Sequence, residues 1–189
     1  MADLHICGDP DADALVSRDP LALLVAMLLD QQIPMEKAFR GPFVLRERLG
    51  HDLDAADLAG REDLAELFAR PPAIHRFPGS MAGRVGELCR HLVEHHDGRA
   101  EAVWEGVADG AELLARVVAL PGFGDQKARI FVALLGKRRG VRPRGWRAAA
   151  GGYSEVGVHR SVADVTSPKT LLAVRAAKQY AKAAATRSR

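Results

Sequence analysis

Cysteine is almost missing from this chain, and the shortage excludes a cluster. Of 189 residues only Cys7 and Cys89 carry a thiol, and two thiolates cannot supply the four ligands of an iron–sulfur cluster or a four-cysteine zinc site. The pair can close one disulfide; two reduced thiols in a cytosolic protein are expected instead. Aromatic residues make up only 5%, so the core must be built from Leu, Val and Ala. That mixture favours helices, because Ala and Leu lose little on entering one. Long apolar runs are also lacking: no stretch approaches the roughly 18–20 uncharged residues of a membrane span. The opening segment MADLHICGDPDAD is acidic where an export signal is basic. A cytoplasmic monomer is expected, without membrane contact.

Positive charge is scarce in the first half and concentrated in the last third. Residues 1–70 carry a net charge of −7, residues 71–119 of −2, and residues 120–189 of +12. Such asymmetry speaks of a partner rather than of a fold and suits a polyanion. Much of the excess lies between Lys127 and Arg147, ahead of the C-terminal tail. His95 and His96 are neighbours on a predicted helix and point in different directions, so a solvated helix end competes with a metal site there.

Helical signals dominate, and no strand pair or internal repeat is visible. Asp19 and Pro20 are a good N-cap and first residue for an almost wholly apolar helix, LALLVAMLL. Pro34 is predicted to begin the next helix, with Gly41-Pro42 breaking or kinking it. Two short helices follow, the first stopped by Gly60 and the second by Pro71-Pro72. Ser80 is expected to cap a long amphipathic helix ending at Gly98. Asp109 and Glu112 have capping-box spacing before LLARVVAL. Residues 140–157, rich in Gly, Arg and aromatics, read as an ordered loop. Ser167-Pro168 opens a last helix predicted to fray after Tyr180. The expectation is one all-α domain over residues 1–183, with a basic flexible tail at 184–189.

The segment ELLARVVALPGFGDQKARIFVALL carries the functional signal. Pro121 ends one apolar helix, and Gly122 and Gly124 are expected to take the positive φ angles of a tight turn. The next helix starts at once, so its first N–H groups lack internal partners and face an open backbone, a natural site for an anion. Lys127 and Arg129 add charge.

This hairpin resembles the helix-hairpin-helix motif of the HhH-GPD superfamily of base-excision repair DNA glycosylases. LLVAMLLDQQIPMEKA is similar to that family's early apolar helix with its terminal glutamine, and GSMAGRVGELCRHLVEHHDG resembles the helix between the two motifs. The resemblance covers about residues 20–137. It implies a two-lobed helical fold with a cleft, and damaged double-stranded DNA as partner. A DNA phosphate would sit on the hairpin formed by Leu120, Pro121, Gly122, Phe123 and Gly124, often with a monovalent cation on its carbonyls. Gln32 would lie beside the extruded base or fill the gap it leaves, with Gln31 and Trp146 completing the pocket.

Two departures limit what the resemblance implies. Family members that also cut the strand carry a lysine two residues after the second hairpin glycine, where this chain has Gln126. Lys127 is one place later, about 100° around the helix, and is expected to contact phosphate, making any glycosylase monofunctional. The family's catalytic aspartate falls in a window that here reads RPRGWRAAAGG and holds no carboxylate. Asp164 can replace it if the basic loop is an insertion, or it caps a turn. Asp30 is the other candidate: it stands at the C-terminal end of an apolar helix, where the macrodipole disfavours a carboxylate, unless it is exposed or pairs with an arginine. Arg142, Arg144 and Trp146 suit contact with phosphate and an unpaired base; equally, Trp146 can plug the core. The rival expectation is a DNA-binding protein that keeps the hairpin and has lost the chemistry.

Overall fold

The computed structural model describes residues 4–187, and the described residues form helices with no strand. Ten α-helices follow one another. They are α1 (Pro10–Arg18), α2 (Pro20–Leu29), α3 (Met35–Leu49), α4 (Ala55–Gly60), α5 (Leu64–Ala69), α6 (Pro78–His96), α7 (Gly110–Val118), α8 (Asp125–Leu134), α9 (Trp146–Ala150) and α10 (Pro168–Arg187). The protein is therefore all-α, as its composition indicates. No helix among the described residues is long and apolar enough to cross a membrane.

Helix α2 is the axis of the core. Every residue from Leu21 to Leu29 is buried, which follows from an apolar side chain at each of those positions. Each fully buried leucine stabilises the fold by roughly 1.5–3 kcal/mol. Asp19 caps the helix as expected, its Oδ1 accepting from Leu21 N–H at 2.8 Å and Ala22 N–H at 3.0 Å.

Gly41-Pro42 does not break α3, which runs from Met35 through Pro42 to Leu49. The glycine serves packing instead: a Cβ there would lie 2.5 Å from Leu29 Cδ1, so α2 and α3 approach closely because it has none. Helix α6 starts at Pro78 rather than after Ser80, with Phe77 as an N-cap that makes no side-chain bond. The Asp109 cap is half a capping box. Its Oδ1 accepts from Glu112 N–H at 2.9 Å, but Glu112 Oε2 reaches Ala108 N–H at 2.7 Å, one residue earlier than the motif requires. The region 140–157, expected to be a loop, holds α9. Helix α10 continues past Tyr180 to Arg187; of the expected tail, residues 188–189 lie outside the described residues.

Candidate functional site

The turn between α7 and α8 separates its residues by polarity. Leu120 and Phe123 are buried, while Gly122 and Gly124 are exposed. Phe123 packs edge-on against Phe131 of α8, ring centroids 5.8 Å apart, and Phe123 N–H closes the turn on Leu120 C=O at 3.0 Å. Only one glycine needs a left-handed backbone. Gly122 has φ +82, and a Cβ there would meet Leu28 Cδ1 at 2.4 Å. Gly124 has φ −71 and ψ 169, an extended geometry open to any residue, with nothing within 4 Å of a Cβ. Its place is the N-cap of α8, without a side-chain bond to the first turn. The leading amides of α8 thus keep their hydrogens for an external acceptor.

Lys127 does not point toward that outer rim. Its Nζ donates to the carbonyls of Met27 and Leu28, at 2.9 Å each, and lies 5.9 Å over the Phe123 ring. It caps the C-terminal end of α2, where a cation complements the dipole. Burial pulls its pKa down to about 8, with Asp30 opposing the shift. The expected phosphate contact is therefore replaced by an internal one, because the register that takes lysine off the lyase position also turns it onto α2.

Other cations of the basic stretch are spent in the same way. Arg129 bonds Asp125 Oδ2 at 2.8 Å and Ala149 C=O at 2.8 Å, fixing α9 against α8. Arg142 Nε donates to Gly136 C=O at 2.7 Å. Arg144 and Arg147 are exposed, and the Arg147 guanidinium stacks on Trp146 at 4.8 Å. Gln126 is exposed and donates to the Tyr153 hydroxyl at 3.0 Å. Trp146 is no pocket residue: it is 6% exposed and lies on Gly136. It is the core plug, since an amphipathic five-residue helix must bury its one large side chain.

The two candidate carboxylates part company. Asp164 is a cap: Oδ1 pairs with Lys137 Nζ at 2.6 Å, and Oδ2 accepts from Arg160 N–H at 2.8 Å and Ser161 N–H at 3.1 Å. Both oxygens are committed to holding the turn at 161–164. Asp30 instead stands at the C-cap of α2, its side chain 13% exposed and 3.5 Å from Lys178 Nζ of α10. A second pair from α10, Arg175 to Glu36 at 2.9 Å, flanks it. Asp30, Met35, Glu36, Arg175 and Lys178 line a cavity of about 220 Å³.

Gln31 and Gln32 follow directly. Gln31 Nε2 donates to Leu28 C=O at 2.9 Å, and its Oε1 accepts from Arg84 of α6 at 3.0 Å. Gln32 is exposed with φ +58, a left-handed backbone carried by a residue with a Cβ. Such a conformation costs on the order of 1–3 kcal/mol and persists only where neighbours impose it. Comparison with models of protein families, with curated proteins and with solved structures gives no match. What the site can do is therefore read from its own geometry.

Sequence reasoning missed four residues: His75, Phe77, Arg84 and Lys178. His75 is buried and joins Gln31 to Phe77. Phe77, at 43% exposure, is an aromatic left partly in solvent, its N–H on the same His75 ring that bonds Gln31, with Arg76 over its ring at 5.2 Å. The contacts of His75 and Arg84 with Gln31 and of Lys178 with Asp30 span 44 or more residues of sequence, beyond the reach of any local pattern. Cys7 and Cys89 are free thiols, half-buried and buried; burial is the first cause that pushes both pKa values up, that of Cys89 to about 12.

Proposed function

We propose that the chain is a DNA-binding protein of the helix-hairpin-helix base-excision repair type, two-lobed in architecture, and that it acts as a monofunctional DNA glycosylase. The observation that carries the reading is the contact between hairpin and helix end. Gly122 rests on Leu28, and Lys127 ties α8 to Met27 and Leu28. These contacts bring the start of α8 next to the α2 end that carries Asp30, Gln31 and Gln32, and in this reading the two meet one duplex together. A duplex whose phosphate sits on the leading amides of α8 brings its stacked bases to Gln32, and Phe77 offers an aromatic surface beside it. Asp30 supplies the negative charge that an oxocarbenium-like transition state needs. For a monovalent cation the hairpin offers backbone carbonyls, two of which, on Leu120 and Gly124, already accept bonds from Phe123 and Ala128 N–H; the proposed phosphate contact needs no cation.

The Lys178–Asp30 pair favours a second reading, a binding protein without chemistry, because a carboxylate held by an ammonium is a weaker electrostatic stabiliser. A panel of alkylated, oxidised and deaminated duplexes separates the two. Base loss revealed only by hot alkali supports the monofunctional glycosylase. Salt-sensitive binding without base loss moves the conclusion to the second reading, and absence of binding removes both. A borohydride-trapped adduct lost in Lys127→Met would show that Lys127, already partly neutral at pH 8, is a nucleophile.

A further inference from the structure

Two segments distant in sequence meet at one buried ring. His75 is 1% exposed. Phe77 N–H donates to its Nδ1 at 3.0 Å, so Nδ1 carries no proton. The ring hydrogen is then on Nε2, which donates to the Gln31 carbonyl at 2.9 Å. That carbonyl belongs to the peptide unit joining Gln31 to Gln32, so holding it fixes the plane that sets the φ of Gln32. Gln32 is the residue with φ +58, and a strained backbone needs such a restraint. The same ring orders Phe77, the N-cap of α6 that has no side-chain cap of its own.

We propose that His75 is a positioning residue for DNA recognition: the neutral Nε2–H ring locks Gln32 and Phe77 together as one rigid edge, and protonation of the ring unlocks them. The proposal rests on the functional reading above. A charged ring would set a second N–H against the N–H of Phe77, and one hydrogen bond would become a repulsion. The groups around the ring oppose that charge. Lys37 of α3 and Lys127 of α8 both act on it as cations. Arg84 of α6 stands on the Gln31 side chain, and the Asp30 carboxylate is held by Lys178 of α10. Burial, first, and then the two lysines hold the His75 pKa below the ordinary histidine value, against the pull of the Gln31 and Leu29 carbonyls. The unfolded chain therefore takes up this proton before the folded one. Stability from the neutral ring is intact above about pH 6.5 and is lost as pH falls from there through the folded pKa.

The test is an NMR titration of the full chain from pH 8 to pH 5, paired with affinity for a duplex containing an abasic site. The His75 ring should stay neutral to below pH 6.5, and the Gln32 and Phe77 amides should move with its midpoint. Affinity should fall about tenfold through that midpoint, the worth of one hydrogen bond. Acid charges surface histidines and strengthens nonspecific binding to a polyanion, so a loss runs against the ordinary trend. His75→Gln keeps a donor for Gln31 and cannot titrate; it should hold affinity within about threefold at pH 7.5 and lose the acid decline. His75→Leu should bind about tenfold more weakly at pH 7.5. Gln32 and Phe77 amides that ignore the ring's midpoint would overturn the proposal, as would a folded His75→Leu with unchanged affinity and pH profile. If the unaltered protein binds no duplex, the functional reading fails, and the amide titration alone decides whether the ring is a pin.

Discussion

The two ends of α2 are closed by opposite means. At the N-terminal end everything is local: Asp19 accepts from Leu21 and Ala22, and Pro20 occupies the first turn. At the C-terminal end the backbone bonds of Asp30 and Gln31 and the Gln31 side-chain amide are local, and the other side chains come from far along the chain. Lys127 comes from α8, Arg84 from α6, His75 from the segment before α6, and Lys178 from α10. One end is a structural stop that any buried helix can use. The other gathers polar groups from four places around a carboxylate that the helix dipole disfavours. That convergence has a cost in stability, and a cost kept at one end of a helix and avoided at the other marks the end with a task.

The sharpest way to break this contrast is to remove the long-range cap. Lys127→Met takes the side-chain donor from the Met27 carbonyl, leaves the Leu28 carbonyl with the Gln31 amide alone, and leaves Asp30 with Lys178 as its ion pair. A loss of about 2–4 kcal/mol is expected in urea unfolding. A loss below about 0.5 kcal/mol would mean that the C-terminal end closes without α8. Gly122→Ala should follow closely, at about 2–3 kcal/mol, since it combines a left-handed backbone with overlap on Leu28. Asp19→Ala tests the local end and should cost about 1 kcal/mol, with DNA affinity unchanged. An affinity change there would erase the distinction between the ends. Gly124→Ala should be smallest, within about 0.5 kcal/mol. An effect equal to that of Gly122→Ala would show that both glycines are needed for their backbone.

How much of this was legible in the sequence follows the same division. The Asp19 cap, the apolar α2 and the all-α class were readable, because each rests on neighbours within one or two turns. The hairpin was readable for its proline and glycines, yet the pattern could not tell that Gly124 is an ordinary N-cap. The break expected at Gly41-Pro42 is not there, and the packing role of Gly41 was hidden because a sequence does not show which helix presses on a glycine. Of the cations expected on phosphate, Lys127, Arg129 and Arg142 are bonded to the chain itself, which charge counting cannot reveal. His75 left no signal at all, since its meaning depends on a carbonyl 44 residues away.

The central claim is that the hairpin and the C-terminal end of α2 form one surface for DNA. Its most direct test is to follow backbone amide resonances of the full chain as a short duplex is added at low salt, then as salt is raised. Shifts are expected at residues 122–127 and at Gln31 and Gln32 together, with a single apparent affinity that falls steeply with salt. Shifts confined to the exposed arginines Arg144 and Arg147, or to α10, with the hairpin and Gln32 unmoved, would contradict it.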